Sequence, residues 1–376
     1  MVRHHWRRGI VSSHPRAGII GTGFMGAVHS RAIRRSGAVV SRVVGSTPES
    51  TRATAPSFDP EFSTETVWEL IRADDVDVVH ICTPNATHAG LARAALEAGK
   101  HVVCEKPLAV DAQEATELAD LARSMGVVAA VPFVYRFYPS VRRARARIAD
   151  GTSGRPYLMH GSYLQDWLAV PTDSDWRVDP ELGGPSRAYA DIGVHWCDLI
   201  EFVTGHRITR LSARTMIAIP ERGGRRVTTE DAALLMFETD RGSAGTLTVS
   251  QVSVGRKNRL WFSIDAAAES MSFDQENPET LWVGGLDENK VLTRGGADAY
   301  SVLPPGHPQG YQDCFDAFVA DTYRAIGGTV PDGLPTFADG VRAAHLTEAV
   351  LTSARTEQWI DVSMRHNTIE KVATLR

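Results

Sequence analysis

Three polar side chains in this 376-residue sequence could together carry acid–base chemistry on an alcohol. Asp191 and His195 are four residues apart in a segment with helical periodicity, so their side chains are expected on one helix face. A carboxylate there could orient the imidazole and favour its charged form, as expected of a general base. Lys106, one of five lysines, follows an apolar strand together with Glu105. Its ammonium could hydrogen-bond a reacting hydroxyl or carbonyl, with Glu105 holding it in place.

These groups need a scaffold, and the start of the chain has a dinucleotide-binding pattern. AGIIGTGFMG is an apolar strand followed by G-x-G-x-x-G. Gly21 permits a tight turn, Gly23 lets N–H groups approach a pyrophosphate, and Gly26 lets the next helix pack close to the strand. Residues 27–35 continue as a helix and residues 38–45 as a second strand. Together they predict a βαβ unit whose helix N-terminus binds an anion.

The periodicity of the chain predicts an α/β protein of two domains. Residues 16–137 alternate apolar strands with amphipathic helices, which indicates a doubly wound parallel sheet of the Rossmann type. Residues 138–376 begin with a helix and continue as consecutive strands, which predicts an α+β domain with a large, open, mostly antiparallel sheet. Helices are expected again at 312–326 and 336–356. Residues 1–15 are expected to form a flexible extension.

Composition excludes several classes of protein. A net charge of −5 argues against a surface that binds a phosphate backbone, so no nucleic-acid partner is expected. No apolar run approaches the roughly 20 residues needed to cross a bilayer, so no membrane association is expected. The four cysteines form no C-x-x-C pair, which favours a reduced, cytoplasmic location.

Two strand ends supply further candidates for cofactor binding. CTPNATH follows an apolar strand, where open parallel sheets bind ligands. The second strand ends at Ser46 rather than at the acidic residue that commonly bonds an NAD ribose. Ser46, Thr47 and Arg52 could accept a 2′-phosphate, which slightly favours NADP over NAD. Ser46 can also bond an unphosphorylated ribose, so both cofactors stay open.

The stretch SYLQDWL followed by DSDWR is dense in planar hydrogen-bonding groups and aromatic faces, a mixture that commonly holds polyols. Tyr135, Arg136 and Tyr311 are additional candidates. The residues expected to bind the cofactor are Gly21, Gly23, Phe24, Met25, Gly26, Ser46, Thr47, Arg52, Thr83, Pro84, Asn85, His88, Glu105, Lys106, Arg136, Trp176 and Arg177. Those expected to bind substrate are Lys106, Tyr135, Tyr163, Gln165, Asp166, Arg177, Asp191, His195 and Tyr311.

The motifs GTGFMG, CTPNATH, CEKPL, YRFYP and ADIGVHWCDL occur in this order, and in this the chain resembles the Gfo/Idh/MocA family of nicotinamide-dependent oxidoreductases from about residue 16 to 362. The resemblance implies a tightly bound NAD or NADP between the two domains. It implies a homodimer or homotetramer assembled through the C-terminal sheet. Lys106 would match the family's catalytic lysine, with a cis peptide before Pro107, and Asp191 and His195 would match its substrate-facing pair.

The expected reaction is hydride transfer between the nicotinamide and a secondary alcohol or ketone of a sugar or cyclitol. His195 would remove the hydroxyl proton, Asp191 would orient and charge the ring, and Lys106 would stabilise the alkoxide; no metal is needed. Neither the individual sugar nor the direction of reaction follows from these residues. Two alternatives remain: an NAD-dependent glycoside hydrolase that oxidises its sugar transiently, and a non-catalytic dinucleotide sensor.

Overall fold

A five-stranded parallel sheet is formed by the first third of the chain. The computed structural model describes residues 15–329 and 331–362. The strands of this sheet are β1 (Arg16–Ile20), β2 (Val39–Val44), β3 (Val78–Ile81), β4 (His101–Cys104) and β5 (Ala129–Ala130). The helices of this part are α1 (Phe24–Arg35), α2 (Pro48–Thr54), α3 (Val67–Arg72), α4 (His88–Glu97) and α5 (Ala112–Met125). The strand order is β2-β1-β3-β4-β5, which places a topological switch point between β1 and β3.

Local sequence signals account for the helix boundaries in this part. The Asp111 carboxylate accepts the N–H of Glu114 at 3.0 Å and begins α5, and Gly126 ends it at φ +66°. Thr66 and Glu69 form a reciprocal capping box at α3. All four residues of β3 are buried, as expected of a central parallel strand with helices on both faces.

The second part of the chain forms a nine-stranded sheet and a short hairpin. Its strands are β6 (Pro156–Leu164), β7 (Ile208–Met216), β8 (Glu221–Arg222), β9 (Arg225–Arg226), β10 (Ala232–Thr239), β11 (Ala244–Ser250), β12 (Arg259–Ala266), β13 (Ser270–Asp274), β14 (Thr280–Gly284), β15 (Asn289–Thr293) and β16 (Ile360–Asp361). The large sheet has the order β15-β14-β13-β12-β6-β11-β10-β7-β16, and only β6 and β11 pair in parallel. The predicted fold class is confirmed in both parts.

In the described ranges five α-helices accompany this sheet, and two of them pack against helices of the first part of the chain. They are α6 (Pro139–Ala149), α7 (Pro180–Gly183), α8 (Val194–Thr204), α9 (Tyr311–Ile326) and α10 (Phe337–Thr356). Helix α9 lies against α1, and α10 lies against α5. The domain boundary at 137/138 stays a prediction. The proposed extension, apart from Pro15, lies outside the described residues.

The two faces of the large sheet differ in cover. Helices α8 and α10 contact one face, on which Leu235 and Phe237 are buried. The neighbouring side chains Leu234 and Met236 point to the other face and are about half exposed, at 48% and 52%. This alternation follows the two-residue period of a strand. The uncovered face therefore carries an apolar row that the described chain does not bury.

A close contact seats α8 on β6. A Cβ at Gly161 would lie 2.2 Å from the main-chain oxygen of Trp261 and 2.5 Å from Nε1 of Trp196. Because glycine has no Cβ, the Trp196 indole donates directly to that oxygen at 2.9 Å. The missing side chain thus fixes how near α8 approaches the sheet.

Among the helices of the described ranges, none is long and apolar enough to cross a membrane. In the same ranges, no cluster of three or more His, Cys, Asp or Glu side chains is arranged to hold a metal ion.

Candidate active site

A cleft of about 1350 Å³ lies at the carboxyl ends of the parallel strands, and the second part of the chain forms its opposite wall. The first sheet and the segments that follow its strands contribute Ile20, Gly21, Thr22, Gly23, Phe24, Met25, Gly45, Ser46, Val67, Cys82, Thr83, Pro84, Asn85, Thr87, His88, Leu91, Glu105, Lys106, Pro132 and Tyr135. The second part contributes Tyr163, Gln165, Trp167, Asp175, Trp176, Arg177, Asp191, Ile192, His195, Lys257, Asn258 and Tyr311.

The glycine turn after β1 has the shape that a dinucleotide requires. Gly21 has φ +105°, and a Cβ there would lie 2.5 Å from the main-chain oxygen of Cys82. A Cβ at Gly26 would lie 2.1 Å from the oxygen of Gly21, so Gly26 permits the close helix packing expected of it rather than lining the cleft. Gly23 faces open space and begins α1 without a side-chain cap. Free N–H groups at this helix end fit a pyrophosphate.

Lys106 meets Asp191 in the cleft. Nζ of Lys106 donates to Oδ1 of Asp191 at 2.7 Å and to its main-chain oxygen at 2.9 Å. Nε of Arg177 lies 3.3 Å from the same Oδ1, and Nε2 of Gln251 donates to Oδ2 at 2.8 Å. Burial alone would raise the pKa of Asp191, but the Lys106 and Arg177 charges hold it well below its usual value. Asp191 is therefore an anion held from three sides.

A wide helical turn presents Asp191 to the cleft. Residues Tyr189–Gly193 form a single π-helical turn directly before α8. Oε1 of Glu230 accepts hydrogen bonds from the Ser186 hydroxyl at 2.7 Å and from the Tyr189 N–H at 2.9 Å. This carboxylate satisfies groups that a helix start leaves free. Inserted π turns are frequent at functional sites, where they redirect a side chain.

His195 is buried in the cleft wall without a hydrogen bond at Nδ1 among the described residues. Its ring packs edge-on against Phe133 and Tyr135, with centroids 5.6 and 5.1 Å apart. Burial lowers the pKa of His195 well below its usual value, the Lys106 charge adds to this, and Asp191 opposes it. The Asp191 carboxylate bonds Lys106 and Gln251, and no hydrogen bond joins it to His195 among the described residues. Its charge favours the charged imidazole, as expected, but burial outweighs it, and the ring-orienting role stays a prediction.

A hydrogen-bonded group of neutral side chains forms the far wall. The hydroxyls of Tyr135 and Tyr163 bond each other, and Tyr163 donates to Oδ1 of Asn258 at 2.8 Å. Nε2 of Gln165 donates to the same oxygen at 2.8 Å, and Trp167 donates to Oε1 of Gln165 at 2.8 Å. Burial raises the pKa of Tyr135 to about 12. The wall therefore offers uncharged donors and acceptors.

Comparison with known proteins identifies the family. Residues 15–133 match the oxidoreductase family with an NAD-binding Rossmann fold, GFO_IDH_MocA, and residues 141–268 match the GFO/IDH/MocA C-terminal domain. The chain belongs to the Gfo/Idh/MocA family. The resemblance inferred from its motifs is confirmed, and with it the expectation of an NAD(P)-dependent oxidoreductase. The implied cis peptide between Lys106 and Pro107 is also present.

Several similar members of the Gfo/Idh/MocA family are named as dehydrogenases. Levoglucosan dehydrogenase of Pseudarthrobacter phenanthrenivorans is 32% identical over 92% of this chain and 97% of its own length. A structure of levoglucosan dehydrogenase with NADH and levoglucosan has a TM-score of 0.89 at 31% identity, covering 93% of this chain and all of that one. An inositol dehydrogenase homologue from Azotobacter vinelandii, complexed with NAD⁺, has a TM-score of 0.86 at 28% identity, covering 93% and 98%.

Two predicted site residues of this Gfo/Idh/MocA protein, Arg136 and Asp166, lie outside the cleft wall and form ion pairs. Arg136 does not line the cleft, because its guanidinium is buried in ion pairs with Asp198 and Asp339, the second at 2.7 Å. Asp166 also lies outside the cleft wall. Its carboxylate accepts from Nζ of Lys257 at 2.7 Å and from the N–H of Gly255 at 3.0 Å.

The predicted phosphate-binding group is only partly assembled. Ser46 lines the cleft, whereas Thr47 and Arg52 do not. Thr47 caps α2 by accepting the N–H of Ser50 at 3.1 Å. Arg52 pairs with Glu49 at 3.0 Å and with Glu65 at 3.4 Å, so its charge is compensated.

His88 lines the cleft, but its ring joins two loops: its nitrogens lie 2.7 Å from the Pro107 oxygen and 2.8 Å from the Thr83 oxygen.

Several residues of the site were missed by the sequence analysis. Gln251 and Glu230 hold the Asp191 turn, and Lys257 and Asn258 line the cleft. The scarcity of lysine could have indicated Lys257, whereas the other three carry no local signal. Gly45, Val67, Leu91 and Pro132 also line the cleft and were missed. The remaining lining residues lie within the stretches singled out from the sequence, and they are Ile20, Thr22, Cys82, Thr87, Trp167, Asp175 and Ile192.

Proposed function

We propose that this protein transfers a hydride between a nicotinamide cofactor and a secondary alcohol or ketone of an uncharged sugar or cyclitol. The observation that carries the proposal is the meeting of Lys106, Asp191 and His195 in one cleft, beside the glycine turn of α1. The relatives support it, since their solved complexes contain NADH with levoglucosan, and NADH with myo-inositol.

The cofactor would be held at the glycine turn, and when bound its nicotinamide supplies the hydride acceptor or donor. His195 accepts the hydroxyl proton during oxidation, because burial keeps its imidazole neutral. The Lys106 ammonium donates a hydrogen bond to the developing alkoxide. Asp191 holds Lys106 in position. In the opposite direction the same groups act in reverse.

The charge balance of the cleft favours an uncharged substrate. Lys106 and Arg177 are paired with Asp191, and Lys257 is paired with Asp166. These are the Lys and Arg side chains that line the described cleft. Phosphorylated sugars are usually bound by an uncompensated arginine or lysine. The amide and phenol groups of the far wall match the hydroxyls of a polyol instead.

We expect both NAD and NADP to be accepted, and the slight lean to NADP rests on Ser46. Among the described residues, no acidic side chain lines the cleft beside Ser46 to repel a 2′-phosphate. The ion pairs of Arg52 with Glu49 and Glu65 weaken this lean, because its charge is already partnered. The ratio of kcat/KM for the two cofactors measures the preference.

We also propose a homodimer or homotetramer formed through the uncovered face of the large sheet. Leu158, Leu234 and Met236 each expose about half of their surface there, between 48% and 52%. Exposed large apolar side chains on one uncovered sheet face favour an interaction site there. Sedimentation of the wild type against Met236→Lys tests this assembly, since a buried lysine would dissociate it.

The decisive test of the reaction is a panel of free polyols and ketoses with NAD⁺, NADP⁺, NADH and NADPH. A net change in nicotinamide absorbance supports the dehydrogenase. Cleavage of a nitrophenyl glycoside without net cofactor turnover would instead show the glycoside hydrolase. Cofactor binding with no reaction in either assay would indicate a sensor.

A further inference from the structure

A chain of four buried polar side chains runs behind the segment that follows β4 and carries Glu105 and Lys106. The Tyr323 hydroxyl of α9 lies 2.8 Å from Nε2 of His80, in the central strand β3. Nδ1 of His80 lies 2.9 Å from Nδ1 of His29, on α1. Nε2 of His29 lies 2.9 Å from Oε1 of Glu105, and Oε2 of Glu105 accepts the N–H of Lys106 at 3.2 Å. The chain thus connects α9 with the backbone of the residue that meets Asp191.

These four side chains are almost completely shielded from water. Both histidine rings are fully buried, and Glu105 and Tyr323 expose only 6% and 7% of their surface. A buried polar atom without a partner destabilises a protein, so two histidines in an apolar core need an explanation. Here each ring nitrogen has a partner. The arrangement is therefore a fully connected network rather than a packing accident.

The contacts fix the direction of donation. An ionised Glu105 only accepts, so Nε2 of His29 carries a proton. With His29 neutral, its Nδ1 accepts from Nδ1–H of His80, and Nε2 of His80 accepts from the Tyr323 hydroxyl. The reverse direction needs a doubly protonated His29, and it leaves the Tyr323 proton without an acceptor among the described residues. Only the first direction satisfies every group.

We propose that Tyr323, His80 and His29 are positioning residues that hold Glu105 ionised and oriented, and through Glu105 hold the Lys106 backbone. The inference rests on the proposed function, since it assigns Lys106 its role at the alkoxide. The directions of the pKa shifts of Glu105 and His80 agree with this proposal. Burial alone would raise the pKa of Glu105, but the His29 hydrogen bond and the Lys106 charge lower it below its usual value. Burial also lowers the pKa of His80 well below its usual value, which keeps that ring neutral.

The first experiment reads the protons directly in the full-length protein. Imidazole ¹⁵N spectra of histidine-labelled enzyme, assigned with His29→Gln and His80→Asn, should show His29 protonated on Nε2 and His80 on Nδ1. Tyr323→Phe removes the first donor and should change the His80 pattern. A doubly protonated His29, or His80 protonated on Nε2 in the wild type, overturns the proposal.

The second experiment separates positioning from simple stability. Tyr323→Phe should lower kcat by about three- to tenfold with the polyol KM unchanged, because Tyr323 does not line the cleft. The matched control is Tyr300→Phe, which removes a 2.7 Å hydrogen bond to Asp321 on the same helix but lies outside the chain. An equal fall of kcat in both variants, or no fall in either, overturns the proposal.

The two failures are distinguishable. If the wild type oxidises no polyol while the spectra show the stated tautomers, the proposed function is wrong and the hydrogen-bond chain stands. If turnover is normal in Tyr323→Phe, the proposed function stands and the positioning role is wrong.

Discussion

Lys106 and Asp191 are 85 positions apart in the sequence, yet Nζ of Lys106 donates to Oδ1 of Asp191 at 2.7 Å. One residue follows β4 of the parallel sheet, and the other lies in the π turn before α8. The pair therefore joins the two sheets at the point where the proposed reaction occurs. The position of the ammonium therefore depends on residues from both sheets.

Lys106→Ala should lower kcat by about 10²- to 10³-fold, as removal of a donor to a developing oxyanion commonly does. The fold should persist, since Asp191 keeps Arg177 and Gln251 as partners. Stopped-flow turnover with the best polyol, and NADH fluorescence titration, measure the two effects. Exposed Lys290→Ala is the control. Near-normal turnover in Lys106→Ala would rule out its role.

In the pH profile of kcat/KM for polyol oxidation, the fall on the acid side should begin only at low pH. Neutral His195 is the active base, and burial lowers its pKa below the ordinary value of about 6.5. Protonation, and with it loss of activity, therefore begins only below that pH. We expect kcat/KM to stay flat as pH falls to about 6.5. The assignment would be contradicted if kcat/KM of the wild type already fell above pH 6.5 and this fall disappeared in His195→Asn, because His195 would then titrate at or above its ordinary pKa.

Gln251→Leu should weaken the site without touching substrate. It removes the donor to Oδ2 of Asp191 and leaves part of a buried carboxylate unpaired, which costs about 1–3 kcal/mol of stability. Because Asp191 then loses its fixed orientation, we expect kcat to fall about tenfold. Urea unfolding and steady-state kinetics measure both. Exposed Gln113→Leu is the control, and equal behaviour of the two variants would refute the role.

Stability should decline in mild acid. The pKa values of His80, His88 and His195 are lowered by burial, so the unfolded chain binds more protons than the folded one below about pH 6.5. The contribution of these histidines to the free energy of unfolding is therefore fully present above that pH. It is lost as pH falls, by up to about 1.4 kcal/mol per pH unit for each histidine. Burial raises the pKa of Asp198 to about 7, which acts in the opposite sense over the same range. The slope is therefore compared between the wild type and His80→Asn by urea unfolding between pH 7.5 and 5.5; an equal slope in the two would be inconsistent with a neutral buried His80 ring.

Arg52→Ala should leave cofactor use almost unchanged. The ion pairs with Glu49 and Glu65 hold the guanidinium outside the described cleft wall, so we expect less than about a twofold change in kcat/KM for NADP⁺. Ser46→Glu should instead reduce kcat/KM for NADP⁺ alone, through repulsion of the 2′-phosphate. A large, NADP-specific loss in Arg52→Ala would restore the phosphate-binding role first expected of it.

The sequence predicted the parts of the site that depend on local pattern. The glycine turn, the strand ends and the His195 helix all follow from periodicity and short motifs. The partners of charged groups could not be predicted, because they come from distant positions. Arg136 was expected to bind the cofactor, but its guanidinium binds Asp198 and Asp339, which lie 62 and 203 positions away in the sequence. Likewise Gln251, which donates to Asp191, lies 60 positions from it in the sequence.

The close packing at Gly161 means that the two faces of the large sheet differ in how readily their residues can be substituted. On the helix-covered face, a methyl added at Gly161 would clash with the Trp261 oxygen and with the Trp196 indole of α8, the helix that also carries His195, so that position tolerates little change. On the opposite face, residues such as Met236 can vary without moving any reacting group. Because residues of the two faces alternate along the same strands, a change on the uncovered face can leave the helix-covered face, and with it the reacting groups, in place.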